Sequence, residues 1–225
     1  MDIVFDHAQA TFDRRVVLQP LSLRLTERRI GIIGLNGSGK STFSRLINGL
    51  LMPSSGRVFT NGHDTSTNAA QARAAVGYIF QNPASQIVLP LIKEDIALSL
   101  QSRRLARAEI NRAVADALER VGIVHLLERR AHELSGGEVQ LAALAAVLAT
   151  TPDIIIMDEP TNQLDLRNRN LVERTIQTLD EDVIVVTHDL ALVADFPRVL
   201  LFHEGNLVHD GAAAETIRHY LKLAA

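Results

Sequence analysis

The chain has 225 residues, of which 47% are hydrophobic and 22% are charged, a balance typical of a globular protein with one substantial core. Its formal net charge of −3 excludes the overall basic field that holds nucleic acid. Cysteine is absent, which excludes disulfide bonds, zinc–thiolate sites and a thiol nucleophile, and no apolar run approaches the ~20 residues of a membrane-spanning helix.

Short apolar segments near the beginning of the chain predict a layer of antiparallel strands. These segments are residues 3–5, 21–25 and 57–60, and residues 76–80 form a further apolar strand pattern. The first six residues contain no basic segment and no long apolar core, so a secretory signal is not expected.

A glycine-rich segment at residues 34–41, GLNGSGKS, fits the phosphate-loop pattern G-x-x-x-x-G-K-[ST] at every position. It follows a predicted buried strand at 29–33 and precedes a helical pattern at 42–47. Backbone N–H groups of the loop and the N-terminus of the helix favour an anion. Lys40 is expected to reach the β- and γ-phosphates of ATP, and the Ser41 hydroxyl is expected to coordinate Mg²⁺. The predicted ATP-binding residues here are Asn36, Gly37, Ser38, Gly39, Lys40, Ser41 and Thr42.

The middle of the chain is predicted to be helical, and the last third returns to alternating strands and helices. Apolar residues recur at helical spacing between 92 and 149, and Gly122 is expected to end one of these helices. Strands separated by helical stretches indicate a parallel sheet, so the fold class is α/β. The predicted organisation is a single domain over 1–225, with a core of residues 1–85 and 150–225 and a helical insertion at 86–149.

Two carboxylates end the apolar strand predicted at 154–157. Parallel strands deliver their carboxyl ends to the crevice where α/β folds bind ligands. Asp158 is therefore expected to hold Mg²⁺, and Glu159 is expected to act as a general base toward an attacking water. The alternative is a strand followed by an acidic N-terminal turn of a helix.

The sequence LSGGE at residues 134–138 opens an alanine- and leucine-rich helix. Its serine and two glycines predict a second anion-binding site. Because the chain already has its own phosphate loop, this second site is expected to bind the phosphate of a neighbouring subunit. The alternative is plain capping of the helix by Ser135 together with Glu138. Both interpretations can hold together.

The phosphate loop, Gln81, the LSGG signature, the Asp158–Glu159 strand end, Asp165 and His188 occur in an order and spacing that resembles ABC-type ATPase subunits. The resemblance covers essentially the whole chain. It implies a P-loop NTPase (RecA-like) parallel-sheet core with an antiparallel β subdomain and an α-helical insertion subdomain.

The resemblance also assigns roles to single residues. Phe12 occupies the position of an aromatic side chain that stacks on adenine, where tyrosine is more usual, and the alternative is a core phenylalanine. Gln81 resembles the glutamine that contacts Mg²⁺ or the attacking water. His188 resembles the histidine that contacts the γ-phosphate, and Asp165 resembles an aspartate that crosses the dimer interface. The implied catalytic residues are Glu159, His188 and Gln81, and the implied metal ligands are Ser41, Gln81 and Asp158.

Proteins of this family act as head-to-tail dimers with ATP and Mg²⁺ between the subunits. The resemblance therefore implies that Ser135, Gly136, Gly137 and Asp165 bind the ATP held by the partner's phosphate loop. Because the signature and catalytic residues are all present, a homodimer is expected, and a heterodimer is not excluded.

Residues 80–87, FQNPASQI, followed by Glu94 and Asp95, resemble the energy-coupling-factor subfamily, and the flanks of the phosphate loop resemble biotin transporters of this type. That resemblance implies a peripheral position at the cytoplasmic face of the inner membrane. The implied partners are a transmembrane coupling protein and a small substrate-binding membrane protein, without nucleic acid. Glu94 and Asp95 are expected to pair with arginines of the partner or to serve as ordinary helix N-terminal charges.

Other functions remain open at this point. An importer ATPase for cobalt, nickel or another solute has the same ATP site. A soluble ABC ATPase of DNA repair or translation usually has a second cassette, a long coiled-coil insertion or basic arms, and a P-loop kinase leaves the signature and His188 without a role. The sequence departs from the family pattern at Leu141, where arginine is common, and at Asn162 and Gln163, where small residues are usual.

Overall fold

The computed structural model describes residues 1–224, except for the side chain of Ser102. The strands in chain order are β1 (Ile3–Phe12), β2 (Arg15–Leu25), β3 (Arg29–Gly34), β4 (Ser55–Thr60), β5 (His63–Asp64), β6 (Val76–Ile79), β7 (Ile154–Asp158), β8 (Asp182–Val186), β9 (Arg198–His203) and β10 (Asn206–Gly211). The helices are α1 (Lys40–Ile47), α2 (Ala69–Ala75), α3 (Ile92–Ser99), α4 (Arg107–Arg120), α5 (Gly136–Ala149), α6 (Leu166–Thr178) and α7 (Ala213–Ala224).

A four-stranded sheet has the order β2-β1-β4-β5, and its strand pairs are antiparallel. The predicted antiparallel layer is confirmed, but β1 and β2 are longer than the short apolar segments indicated. They meet in a hairpin whose turn residues Asp13 and Arg14 both have positive φ, at 45° and 65°. Such a turn matches the twist of paired strands, and its usual residues are Asn-Gly or Asp-Gly. Because Asp-Arg is neither of these pairs, the sequence did not indicate the hairpin.

The second sheet has six strands in the order β10-β9-β3-β8-β7-β6. Strand β3 pairs in parallel with β8 and β9, and β7 pairs in parallel with β8, which confirms the predicted parallel sheet. Strand β10 closes one edge as an antiparallel hairpin with β9. The carboxyl ends of β3, β7 and β8 therefore lie at the same edge of the sheet.

Contacts divide the chain into two compact units. The first contains residues 1–78, 153–159 and 181 onward, and so includes both sheets except the last residue of β6, together with α1 and α7. The second contains residues 79–152 and 160–180, and so includes the predicted helical insertion together with α6. The division of the chain that the sequence analysis gave stays a prediction.

In the second unit, α5 contacts α3, α4 and α6. Its apolar and small residues are buried around most of its circumference, which is typical of a central helix. Gly122 follows α4 with a φ of 72°, as the expected helix-ending glycine. Among residues 1–224, no helix is long and apolar enough to cross a membrane.

Three phenylalanine rings in contact join elements of the first unit. Phe43 of α1 lies 4.4 Å from the ring centre of Phe5 in β1 and 4.9 Å from that of Phe202 in β9. All three side chains are fully buried or nearly so. The helix that follows the phosphate loop is thus anchored to both sheets through one side chain.

Replacing Phe43 with alanine is expected to lower the free energy of unfolding by about 3–5 kcal/mol, because it leaves a cavity between the two sheets. Urea denaturation measures the change. Phe12→Ala is the matched control, since Phe12 is 44% exposed and its loss leaves no cavity. Equal effects of the two substitutions would contradict this role for Phe43.

Candidate functional site

The glycine-rich loop connects β3 to α1 and has a backbone that only glycine adopts readily. Gly37 and Gly39 have φ values of 76° and 98°, in the left-handed region. A side chain at Gly39 would place its Cβ 2.9 Å from the carbonyl oxygen of Val17 in β2. Around Gly37, by contrast, there is open space, so the loop is tight on its inner side and open on its outer side.

Lys40 is the first residue of α1 and is only 7% exposed. Its Nζ donates hydrogen bonds to the carbonyl oxygens of Gly34 at 2.8 Å and Leu35 at 2.9 Å. Burial lowers the pKa of the Lys40 ammonium, and the nearby carboxylates of Glu159 and Asp158 oppose that shift. The ammonium is held inside the loop, where a phosphate is a stronger partner than a neutral carbonyl group.

The loop is also held from outside by the turn between β9 and β10. The backbone N–H of Gly205 donates to the Ser38 carbonyl at 3.1 Å, and the Gly205 carbonyl accepts from the N–H of Gln19 at 2.8 Å. The Ser38 hydroxyl oxygen is buried without a hydrogen-bond partner among the described residues. A buried hydroxyl group of this kind is consistent with a site that a ligand completes.

A cleft of about 670 Å³ lies beside the loop. Sequence reasoning found its glycine-rich wall and missed the opposite one, because only the folded chain brings β2 and the β9–β10 turn beside the loop. The residues missed are Arg15, Val16, Val17, His203, Glu204 and Gly205. Phe12 is exposed at the end of β1 and pairs with Arg15, so the alternative interpretation of Phe12 as a core residue is wrong.

Ser41 and Asp158 are in contact. The Ser41 hydroxyl donates to Asp158 Oδ1 at 3.1 Å, and Asp158 is 2% exposed. A hydroxyl and a carboxylate oxygen are hard ligands of the kind that Mg²⁺ takes, usually beside water and phosphate oxygens. The donor set of these two side chains therefore fits the ion. Gln81, the third predicted ligand, belongs to the second unit and is exposed.

Glu159 and His188 lie side by side. Glu159 Oε2 accepts a hydrogen bond from the backbone N–H of His188 at 3.2 Å and lies 2.8 Å from His188 Nδ1. Glu159 is 9% exposed and has a φ of 55°, a left-handed conformation that is costly for a residue with a side chain. Its own N–H donates to Val186 of β8 at 2.7 Å, which holds this conformation at the end of the strand.

The signature segment of the second unit begins α5 as a capping box. The Ser135 side chain accepts from the Glu138 N–H at 3.4 Å, and Glu138 Oε2 accepts from the Ser135 N–H at 2.7 Å. The Ser135 N–H lowers the pKa of the Glu138 carboxyl. The capping interpretation is therefore confirmed, and the anion-binding interpretation stays a prediction.

Asp165 begins α6 and is tied to the start of α5 through a residue that sequence reasoning missed. Asp165 Oδ1 and Oδ2 accept from the backbone and side-chain N–H groups of Asn168 at 2.8 and 3.0 Å. The same Asn168 side chain would lie 2.5 Å from a Cβ at Gly137. Gly137 is thus required for the close packing of the two helix N-termini.

A second cleft, of about 410 Å³, lies within this unit and brings together several predicted residues. Its walls include Gln81, Gly136, and the two residues Asn162 and Gln163 that depart from the family pattern. Leu141, which also departs from the family pattern, is a fully buried residue of α5.

Asp95 has a structural role that the sequence left open. It is 8% exposed, and its Oδ1 accepts from the N–H groups of Val88 at 2.7 Å and Leu89 at 2.9 Å. The carboxylate therefore holds the segment before α3, and the hypothesis that Asp95 pairs with a partner's arginine stays a prediction. Glu94 is exposed.

Residues 18–162 match the family model of the ABC transporter. The chain is 57% identical to the biotin transport ATP-binding protein BioM of Rhizobium etli, over the full length of both chains. It is 41% identical to the BioM protein of Rhodobacter capsulatus, over 96% of this chain and 92% of that protein. It is 39% identical to the energy-coupling factor transporter ATP-binding protein EcfA1 of Halalkalibacterium halodurans, over 87% of this chain and 72% of that protein.

Among solved structures, cbiO1 from Clostridium perfringens, described as part of the ABC transporter complex cbiONQ, superimposes with a TM-score of 0.87 at 27% identity. The superposition covers 99% of this chain and 93% of that one. Together with the glycine-rich loop, the paired carboxylates and the signature, these matches show that the chain belongs to the ABC transporter family, in which it is an ATP-binding and ATP-hydrolysing subunit.

Proposed function

We propose that this chain hydrolyses ATP with Mg²⁺ to power uptake of biotin by an energy-coupling-factor transporter. The proposal that biotin is the transported solute rests on the full-length identity of 57% to a biotin transport ATP-binding protein. The observation that carries the chemistry is the gathering of Lys40, Asp158, Glu159 and His188 in one unit at the carboxyl edge of one sheet.

The phosphate loop binds the β- and γ-phosphates of ATP. Lys40 exchanges its bonds to the Gly34 and Leu35 carbonyls for bonds to phosphate oxygens, which restores a charged partner to a buried ammonium. Ser41 and Asp158, with Gln81 as a further predicted ligand, would hold Mg²⁺, and the ion would supply neutralisation of charge on the phosphates. Phe12 is exposed and pairs with Arg15, a residue of the cleft beside this loop, and is proposed to stack on adenine.

Glu159 receives the proton of the attacking water at Oε1, the carboxylate oxygen that His188 does not occupy. In this structure Oε2 is held by the backbone N–H and Nδ1 of His188. A proton on Nδ1 keeps the imidazole in a fixed orientation and leaves Nε2 directed to other partners. His188 then uses its exposed ring to contact the γ-phosphate, while Glu159 orients the water.

Two copies of the chain complete the site as a head-to-tail homodimer. Ser135, Gly136 and Gly137 present the N-terminus of α5, and Asp165 presents that of α6, to the nucleotide held by the partner subunit. The contact of Asn168 with both Asp165 and Gly137 supports this assignment, because it joins the two motifs side by side. Closure on ATP and opening after hydrolysis then supply the mechanical step.

The chain is proposed to act at the cytoplasmic face of the inner membrane as a peripheral subunit. Its partners are a transmembrane coupling protein and a small substrate-binding membrane protein. An apolar groove of about 260 Å³ in the second unit supports this role, since Val88 on its wall is 72% exposed. Residues that line it include Gln86, Ile87, Val88, Asp95, Leu98, Ala143 and Ala146.

Affinity co-purification from detergent-solubilised source membranes tests the proposal, with mass spectrometry of the partner proteins and of the bound solute. Recovery of a coupling protein with a small biotin-loaded membrane protein is expected. Recovery of a membrane component loaded with a metal ion or another solute would contradict biotin as the transported solute. Recovery of a conventional permease would contradict the energy-coupling assignment. Recovery of nucleic acid without any membrane protein would contradict the transport function.

Lys40→Ala is expected to abolish ATP binding, because it removes the cation that the loop holds for the phosphates. Isothermal titration calorimetry with Mg–ATP measures the loss. Lys222→Ala is the matched control, since Lys222 is exposed on α7 and is expected to leave binding unchanged. Tight ATP retention by Lys40→Ala would show that the loop assignment is wrong.

Glu159→Gln is expected to bind ATP normally but to accumulate as a closed dimer, because the amide cannot accept the proton of the attacking water. Light scattering after size-exclusion chromatography with Mg–ATP detects the dimer, and phosphate release measures turnover. Glu119→Gln, an exposed change on α4, is the control. Rapid turnover by Glu159→Gln would remove Glu159 as the base.

A further inference from the structure

A closed ring of polar contacts connects the two proposed metal ligands of the first unit to two residues without an assigned role. The Ser41 hydroxyl donates to Asp158 Oδ1 at 3.1 Å, and the Tyr78 hydroxyl donates to Asp158 Oδ2 at 3.3 Å. The Tyr78 oxygen lies 2.8 Å from Ser44 Oγ, and Ser44 Oγ lies 3.1 Å from the Ser41 carbonyl oxygen. Both oxygens of the Asp158 carboxylate are therefore occupied by hydroxyl groups.

Neighbouring elements of the fold produce this ring. Ser41 and Ser44 are three residues apart on α1 and so lie on the same face of the helix. Tyr78 is in β6, the strand next to β7, which ends at Asp158. Ser44 is fully buried, Asp158 is 2% exposed and Tyr78 is 7% exposed. At this burial, an unmade hydrogen bond to the carboxylate is costly.

The available hydrogen atoms decide how the ring is connected. The hydroxyl groups of Tyr78 and Ser44 have one hydrogen each, and Tyr78 has either Asp158 or Ser44 as its acceptor. An ionised carboxylate is the stronger acceptor, so the Tyr78 hydrogen goes to Asp158. The single hydrogen of Ser44 then has two acceptors within reach, the phenol oxygen of Tyr78 and the Ser41 carbonyl oxygen.

We propose that Tyr78, supported by Ser44, is a positioning residue for the magnesium ligand Asp158. By holding Oδ2 in the interior, the Tyr78 hydroxyl turns Oδ1 toward Ser41, so that the carboxylate and hydroxyl ligands of Mg²⁺ face the same place. Tyr78 acts through Asp158. This inference rests on the proposed Mg–ATP site and adds the group that orients one of its ligands.

Tyr78→Phe tests the inference, because it removes the hydroxyl and keeps the ring that packs in the core. Equilibrium binding of a fluorescent ATP analogue is measured for the full chain with Mg²⁺ and, separately, with EDTA. The ratio of the two affinities gives the magnesium preference without any turnover. Tyr220→Phe is the matched control, since Tyr220 is the other tyrosine of the chain and is half-buried on α7.

The expected result is a magnesium preference reduced by about fivefold in Tyr78→Phe, the effect of one lost hydrogen bond, with affinity in EDTA unchanged. Ser44→Ala is expected to reduce the preference less, because Tyr78 keeps its bond to Asp158. Tyr220→Phe is expected to match the wild type.

An unchanged preference in Tyr78→Phe would overturn the inference, as would an equal loss of affinity with Mg²⁺ and with EDTA. The second outcome is the one that a purely structural role produces, and thermal unfolding identifies it independently. Measurement of the wild-type protein distinguishes a failure of the proposed Mg–ATP site from a failure of the role given to Tyr78. If the wild type itself bound no Mg–ATP, the proposed function would fail. If the wild type binds Mg–ATP and Tyr78→Phe has the same magnesium preference, only the role of Tyr78 is refuted.

Discussion

The parallel register of β3, β8 and β7 is the constraint on which the rest of the site depends. It brings three chain segments, far apart in sequence, to the same edge of one sheet. The phosphate loop leaves β3, the Asp158–Glu159 pair ends β7, and His188 follows β8. One ammonium and two carboxylates are then buried close together, and each depends on the others because an isolated buried charge is unstable. In that sense the site is organised before any nucleotide binds.

The second unit presents a different kind of order. Ser135 and Asp165 each cap a helix with their own side chains, and Asn168 connects Asp165 to Gly137. These contacts satisfy the capping side chains locally, while the remaining N–H groups at each helix start are free of intrahelical partners by geometry. In the proposed dimer, the phosphates of the partner's ATP supply the acceptors. The proposed division of the site between two subunits would then explain why one chain has two predicted anion-binding motifs.

Much of this was predictable from the sequence, because the phosphate loop, the strand-end carboxylates and the capping box are local patterns. Strand, loop and helix are contiguous in the chain, and Asp158 and Glu159 need only the end of one strand. The contacts of Tyr78, Asn168 and Gly205 were not predictable, because each depends on which elements are neighbours in space. Tyr78 looks like an ordinary apolar strand residue until β6 is placed beside β7. Asp95 was ambiguous for the same reason, since its acceptor role needs the segment at Val88 and Leu89 folded back on α3.

The central claim is that an ATP site is shared between two copies of this chain, and subunit complementation tests it most directly. Lys40→Ala subunits lack a working phosphate loop, and Ser135→Arg subunits lack a working signature, so neither is expected to hydrolyse ATP alone. In an equimolar mixture, the heterodimer contains one composite site with an intact Lys40 and an intact Ser135. The account predicts that the mixture regains ATP hydrolysis. A mixture no more active than its separate components, beside an active wild type, would contradict a site divided between subunits.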